Sequence, residues 1–201
     1  MDLNPSSYND LVCQATIAES LRAIDLAEFL GAEVVTIHPG KRTAKRPARE
    51  VERQKLRHYL DVCLDRAEER GIQLALENLE PAPWNLCADP EEMSQFLDEP
   101  SLGMTLDISH ATPPSSGAVA FVEALGGHIQ NVHVSATKDG VRHLPASIGS
   151  VDQVLMALRD IGYDGPLTLE LDDKKFPKTL SKEDKVEVLR RERRHLESIW
   201  G

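Results

Sequence analysis

The sequence predicts an α/β fold in which a parallel sheet is covered by helices. Short runs of β-branched and other apolar residues alternate with longer amphipathic runs along the 201 residues. The short runs are almost continuously apolar, which is typical of strands buried on both faces. The order is α-β-α-β-α-β-α-β-α-β-α, with no linker or low-complexity tract between elements. This alternation favours a parallel sheet within a single domain, residues 1–201.

The strand and helix boundaries follow from apolar spacing and from the residues that interrupt it. Strands are predicted at 34–38, 72–77, 103–108, 129–134 and 166–171. Helices are predicted at 9–30, 48–70, 89–98, 116–125, 150–161 and 181–199. Gly31 and Gly71 follow the first two helices, as expected of residues that adopt left-handed backbone freely.

Capping residues mark the starts of the later helices. Asp89 is the expected N-cap of the helix at 89–98, and Pro90 stands at its first position. Ser150 or Asp152 is expected to cap the fifth helix. The last helix opens with SKED, residues 181–184, a capping box that ends in aspartate instead of the usual glutamate.

Composition narrows the class of protein. Apolar residues make up 41% and charged residues 28%, as in an ordinary globular protein, and no apolar run has the length of a membrane span. The net charge of −10 argues against a nucleic-acid partner. Cys13, Cys63 and Cys87 are odd in number and far apart, which favours reduced thiols. Together with an N-terminus that lacks secretory-signal features, they indicate a cytoplasmic protein.

Each predicted strand ends with an ionisable residue: His38, Glu77, Asp107, His133 or Glu170. The carboxyl ends of the strands in a parallel barrel lie on one face, so these side chains should converge. Three carboxylates brought together repel one another unless a divalent cation is bound between them. Oxygen and imidazole donors suit Zn²⁺, Mn²⁺, Mg²⁺ or Co²⁺, and the residue types do not choose among these ions.

A basic loop follows the first strand on the same face. It holds five cationic residues: Lys41, Arg42, Lys45, Arg46 and Arg49. Such a loop can be a solvated segment, or its cations can hold a phosphate on the substrate. The sequence leaves both interpretations open.

The segments VVTIHPG, LALEN, TLDISHA, NVHVS and GPLTLEL resemble successive strand motifs of the xylose-isomerase-like TIM barrels. This group includes sugar isomerases, ketose 3-epimerases, inosose dehydratases and endonuclease IV. The resemblance extends over residues 10–200 and implies a (β/α)8 fold. It matches the five βα units to the fourth to eighth strands, so the barrel is expected to be incomplete, with open edges at 34–38 and 166–171. A shortened gene product, a separately encoded half or pairing of two copies would each account for this.

The resemblance also implies roles for individual residues. The metal ligands would be Glu77, Asp107, His133 and Glu170, and His110 would contact substrate or a further zinc ion. The remaining matches, possible contacts to further metal ions or to substrate, are His38, His143 and its neighbour Arg142. Val141 stands where the nuclease has an aspartate ligand, which weakens a three-metal interpretation.

Three functions follow from these expectations. The first is a metal-dependent sugar or sugar-phosphate isomerase or epimerase, in which Glu77 and Glu170 transfer the proton through an enediolate and His110 orients the substrate. The second is a phosphodiesterase acting on abasic DNA, like endonuclease IV. The third is an inactive barrel fragment, or one completed by a partner chain or a second copy.

Overall fold

The computed structural model describes residues 3–98, 101–111, 114–149 and 151–201. Within these ranges, seven strands occur in chain order: β1 (Val34–Ile37), β2 (Gln73–Glu77), β3 (Leu102–Asp107), β4 (Ile129–Val134), β5 (Ala136–Lys138), β6 (Val141–Leu144) and β7 (Leu167–Leu169). The first four and β7 form one parallel sheet in the order β1-β2-β3-β4-β7. This sheet curls through 207° and is an incomplete TIM barrel, as predicted.

The described part of the chain also contains six α-helices: α1 (Asp10–Leu30), α2 (Glu50–Arg70), α3 (Pro90–Ser94), α4 (Pro114–Leu125), α5 (Asp152–Asp160) and α6 (Lys182–Trp200). Gly31 and Gly71 end α1 and α2 in left-handed conformation, with φ of 70° and 66°. The predicted capping box of α6 is confirmed, because Ser181 accepts a hydrogen bond from the Asp184 amide while Asp184 accepts one from the Ser181 amide. No helix in the described ranges is both long enough and apolar enough to cross a bilayer.

The described residues depart from the sequence prediction in two element boundaries, one helix cap and one hairpin. The helix predicted at 89–98 ends at Ser94 and continues as turns, while the strand predicted at 166–171 is reduced to three residues. The fifth helix is preceded by Val151, which provides no side-chain cap, and Ser150 lies outside the described residues. The antiparallel hairpin of β5 and β6 was not predicted. Its strands have three and four residues, too few to show a period.

A polar layer crosses the inside of the sheet below the strand ends. The Thr36 and Thr105 hydroxyls lie 2.8 Å apart, joining β1 to β3. The Thr168 hydroxyl donates to the Asn131 side chain at 2.9 Å, and Asn131 reaches Thr36 at 3.5 Å. These bonds link β1, β4 and β7 across the concave face, so they help to set the curl that brings the strand ends together.

Candidate metal centre

The carboxyl ends of four strands bring the predicted ligands together. Glu77 ends β2 and Asp107 ends β3, while His133 lies opposite Asp107 in the register of β4 and Glu170 follows β7 directly. One donor atom from each of the four lies within 4.8 Å of the others. Three of the side chains are largely buried, whereas Glu170 is 43% exposed because β7 forms an edge of the sheet.

The four donor atoms converge, but they do not form hydrogen bonds with one another. His133 Nδ1 lies 2.9 Å from Glu170 Oε2 and 3.5 Å from Glu77 Oε1. None of these three atoms, nor Asp107 Oδ2, has a hydrogen-bond partner of acceptable geometry, and all four are buried. Buried polar atoms without partners are costly and demand an explanation. Three carboxylate oxygens and one imidazole nitrogen, converging and unpaired, fit a divalent cation.

Without a bound cation, protons on the histidines and on one carboxyl offset the negative charge of this cluster. Burial disfavours charge on the histidines, yet the surrounding carboxylates raise the pKa of His133 to about 10 and that of His110 to about 9. Burial raises the pKa of Asp107 to about 8 despite the nearby histidine. The His133 contact lowers the pKa of Glu170 to about 2. Burial would raise the pKa of Glu77, but the imidazoles of His110, His133 and His38 close to its carboxylate hold it well below its usual range. A cation that binds here therefore displaces protons.

Asn78 fixes the ends of β2 and β3 relative to each other. Its side-chain amide donates to the Asp107 carbonyl at 3.0 Å and its oxygen accepts from the Asp107 amide at 2.8 Å. Its own carbonyl lies 2.9 Å from His110 Nδ1. Asn78 therefore orients two of the functional side chains. Sequence analysis assigned it no role, although its place directly after Glu77 in LALEN was the available signal.

A second group of donors adjoins the first. Asp107, His110 and His143 also bring donor atoms within 4.8 Å of one another, and the two imidazole rings lie 5.1 Å apart, edge to face. His143 has a φ of 55°, which is strained for a residue with a side chain. Burial lowers the pKa of His143. The structure thus places His143 beside the centre, with Val141 two residues away and 39% exposed.

Buried hydroxyls hold His143 in that conformation. Ser109 Oγ accepts from the His143 amide at 3.3 Å and lies 2.8 Å from Ser135 Oγ. Ser135 Oγ in turn lies 3.3 Å from His143 Nδ1. Glu192 on α6, fully buried, accepts from the amide and hydroxyl of Ser147 at 2.9 and 2.8 Å, which anchors the turn after the hairpin. None of these supports was predicted.

A cavity of about 190 Å³ opens beside the centre. His38 and His110 line it, and both contact Glu77, at 2.9 Å through His38 Nε2 and 3.3 Å through His110 Nδ1. Lys41 and Glu80 also line this cavity. Arg142, on the hairpin, reaches to 3.7 Å from Glu80 and so bridges the hairpin and the loop after β2.

The basic loop divides into cations that face solvent and one that does not. Arg42 is only 9% exposed, its Nε lies 3.5 Å from Glu52, and its Nη1 donates to the Pro47 carbonyl at 2.8 Å. The guanidinium of Arg42 is thus engaged inside the loop, and contact of Arg42 with a phosphate stays a prediction. Lys45 is exposed, with its ammonium 6.0 Å from the centre of the Trp84 ring, and Arg46 is exposed as well.

Several known proteins are similar in sequence to this chain. MJ1188 from Methanocaldococcus jannaschii, an uncharacterized protein, is 35% identical over 204 residues, which cover 99% of this chain and 74% of that protein. L-ribulose-5-phosphate 3-epimerase UlaE from Salmonella paratyphi A is 27% identical over 168 residues, covering 82% of this chain. The match spans 59% of the epimerase, so this chain corresponds to part of it.

Solved structures agree on the fold. A D-tagatose 3-epimerase-like protein has a TM-score of 0.76 at 28% identity and covers 98% of this chain, which in turn spans 74% of that protein. Endonuclease IV from Thermus thermophilus has a TM-score of 0.67 at 21% identity, covering 98% of this chain and 73% of its own. The family model described as xylose isomerase-like TIM barrel matches residues 1–199. The sequence motifs, the curled parallel sheet and these matches together show that this chain belongs to the xylose isomerase-like TIM barrel family.

Proposed function

We propose that this chain carries the metal centre of a sugar or sugar-phosphate epimerase or isomerase. One observation supports this above the others: four buried donor atoms from four strand ends converge without hydrogen-bond partners. Two relatives are an L-ribulose-5-phosphate 3-epimerase and a D-tagatose 3-epimerase-like protein, and both sugars named there are ketoses. The proposed substrate class is therefore a ketose or a ketose phosphate. Mn²⁺, Zn²⁺, Mg²⁺ and Co²⁺ all suit the donor set.

The proposed roles divide between binding and proton transfer. A bound divalent ion would polarise the carbonyl and hydroxyl oxygens of the substrate and favour loss of a proton from the carbon next to the carbonyl. One of Glu77 and Glu170 would accept this proton on one face of the carbon, and the other, in its protonated form, would deliver a proton to the opposite face. Glu170 is suited to exchange protons with substrate because it is the most exposed ligand, and His110 would donate a hydrogen bond to a substrate oxygen.

The cavity beside the centre is where the sugar would bind. Its volume of about 190 Å³ and its mixed lining of imidazole, amide and ammonium groups suit a small polyol. Lys41 stands at its wall, where it can pair with a phosphate on a phosphorylated substrate, and Lys45 and Arg46 extend the positive charge outward. Sugar and sugar phosphate are distinguished by comparing turnover of wild type and Lys41→Gln on both.

The test combines metal binding with exchange of the substrate proton. The wild-type chain, loaded with Mn²⁺, should incorporate deuterium from solvent into a ketose at the carbon next to the carbonyl. Glu170→Gln should bind the metal more weakly and lose at least about 100-fold of the exchange rate, as expected for removal of a general base. Glu123→Gln, on the exposed face of α4, is the matched control and should retain the rate. Full exchange by Glu170→Gln with metal bound would refute the assignment.

A second candidate function rests on the second donor group. Asp107, His110 and His143 could hold a further ion, as a multi-metal phosphodiesterase requires. Val141 and the net charge of −10 oppose this candidate, and the Arg42 guanidinium is engaged inside the loop. Metal content after dialysis discriminates the two: one ion per chain favours the epimerase, and two or three ions with cleavage of abasic DNA favour the nuclease.

A further inference from the structure

The segment at residues 3–9 is bonded to the loop after β1 by two of its side chains. The Asn4 side chain accepts a hydrogen bond from the Lys41 amide at 3.1 Å and donates one to the Lys41 carbonyl at 2.7 Å. The Ser6 hydroxyl, fully buried, donates to the Pro39 carbonyl at 3.0 Å. These bonds join residues 37 and 33 positions apart, so they belong to the tertiary structure and not to a local turn.

Asn4 is itself fixed by its surroundings. Its backbone amide donates to the Thr16 hydroxyl on α1 at 2.9 Å, and that hydroxyl donates to the Val12 carbonyl at 2.7 Å. Gly40 has a φ of 81° and approaches so closely that an added Cβ would lie 2.5 Å from Asn4 Oδ1. The Asn4 side chain is therefore held firmly against the backbone of Lys41.

The loop after β2 bonds to the other side of the same backbone. Lys41 forms an antiparallel β-bridge with Asn85, and the amide of Arg42, the next residue, donates to the Trp84 carbonyl at 2.8 Å. The polar groups of neighbouring residues in an extended chain alternate between its two sides, so Asn4 pairs with one side and the loop after β2 with the other. The backbone of Lys41 is thus held from both sides, while Lys41 itself is exposed.

This arrangement places a cation at the wall of the cavity beside the metal centre. Lys41, Asn4 and Asn85 line this cavity of about 190 Å³, and so do His38 and His110, which contact the Glu77 carboxylate. A small molecule that fills the cavity therefore lies between the metal centre and Lys41.

The charges around the cavity favour an anionic group near Lys41. Unlike Lys55, whose ammonium lies 2.6 Å from Asp10, Lys41 forms no ion pair within the described ranges of the chain. Glu80 also lines the cavity, but its carboxylate lies 3.7 Å from the Arg142 guanidinium. An unpaired ammonium next to a carboxylate that already has a partner suits a phosphate on the ligand.

We propose that Asn4 is a positioning residue, which holds Lys41 where its ammonium binds the phosphate of a ketose phosphate. The proposal rests on the proposed function, because the sugar end of the same molecule would lie at the metal centre. A backbone that is ordered before binding spares the ligand the entropic cost of ordering it. Asn4 thereby raises the affinity for phosphorylated ketoses through Lys41, and touches no reacting atom itself.

The experiment compares a ketose phosphate with its free sugar on the metal-free chain. L-Ribulose 5-phosphate and L-ribulose are titrated in the presence of a chelator, and binding is followed by NMR at the backbone amides of 40–42. Wild type should bind the phosphate at least about tenfold more tightly, because only the phosphate forms a charge-assisted bond with Lys41. Asn4→Ala should lower the affinity for the phosphate by about three- to tenfold and leave that for the free sugar unchanged.

A double-mutant cycle separates positioning from a purely structural role. Because Asn4 acts through Lys41, Asn4→Ala should have no further effect on phosphate affinity when combined with Lys41→Gln. Asn9→Ala is the matched control, since it removes a hydrogen bond accepted from the Leu11 amide at 3.0 Å, at the start of α1, and should leave both affinities unchanged.

A second variant disturbs the same contact from the side of the loop. Gly40→Ala places a Cβ against Asn4 Oδ1 and should give the same selective loss of phosphate affinity. Gly71→Ala, at a glycine of similar φ with no atom near the added Cβ, is its control and should keep wild-type affinity.

Three results would overturn the proposal. They are equal affinity of wild type for the two ligands, equal loss of both affinities in Asn4→Ala and Gly40→Ala, and an effect of Asn4→Ala that persists in Lys41→Gln. The titrations involve neither metal nor turnover. A failed deuterium-exchange assay with this selectivity intact would therefore refute the proposed function alone, and lost selectivity with exchange intact would refute the role of Asn4 alone.

Discussion

Asp107→Asn is expected to stabilise the metal-free chain while impairing metal binding. Asp107 is fully buried and its pKa is raised from 3.8 to about 8, mainly by burial. Each unit of pKa shift corresponds to about 1.4 kcal/mol, so ionising this carboxyl in the folded state costs on the order of 6 kcal/mol more than in the unfolded state. Asparagine has the same shape and no charge, and its Oδ1 can still accept the hydrogen bond from the His110 amide at 3.0 Å.

The sign of the pH dependence follows from the raised pKa of Asp107. Below its unfolded value of 3.8 both states hold the proton, and between there and about 8 only the folded state does. The free energy of unfolding contributed by this group therefore falls as pH rises through that window, by up to about 1.4 kcal/mol per pH unit. The asparagine variant lacks this decline, so its advantage over wild type should grow from about pH 5 to about pH 8.

Urea unfolding in the presence of a chelator, followed by circular dichroism at several pH values, measures this difference. Asp139→Asn is the matched control, since Asp139 is exposed in the hairpin turn and asparagine tolerates its φ of 53°. Adding Mn²⁺ or Zn²⁺ should stabilise wild type and the control, and should stabilise Asp107→Asn much less. Parallel pH profiles for wild type and Asp107→Asn without metal would refute the reasoning.

Three further predictions concern the centre and its supports. Metal binding should release about one to two protons per ion near pH 7, because Asp107 and His133 are both protonated at this pH without metal. Calorimetry in buffers of different ionisation enthalpy counts the released protons. Glu192→Ala should lower the free energy of unfolding by about 3 kcal/mol, since it removes both bonds to Ser147, and should speed hydrogen exchange in the hairpin 136–144. Gly40→Ala should destabilise the chain by at least about 1 kcal/mol more than Gly71→Ala. Both glycines have positive φ, but only at Gly40 would the added Cβ clash with a neighbour, at 2.5 Å from Asn4 Oδ1. Thermal denaturation of the two variants measures the difference.

The sequence predicted the sheet and the ligand set because both follow local rules. Continuous apolar runs mark buried strands, and a parallel sheet aligns their carboxyl ends, so residues at the ends of separate strands could be grouped without knowing any contact. The structure brings Glu77, Asp107, His133 and Glu170 together as expected. Metal binding by this set remains a prediction.

The residues that support the centre could not be predicted in the same way. Asn78 and Glu192 act through partners 29 and 45 residues away, and no periodicity marks such pairs. Arg42 was grouped with a basic loop by its charge alone, whereas the fold buries it against Glu52. A charged residue in a polar run carries no local sign of whether it faces solvent or another side chain.

By itself the sequence determined the order of the elements, the parallel sheet and the residues placed at the strand ends, because these depend on periods of about two or 3.6 residues and on chain direction. Only the tertiary structure decided how far the sheet curls, which hairpin covers the centre and which faces of α1 and α6 stay exposed. These features depend on packing and hydrogen bonds between residues distant in the chain, and burial is a property of the whole fold and not of any one segment.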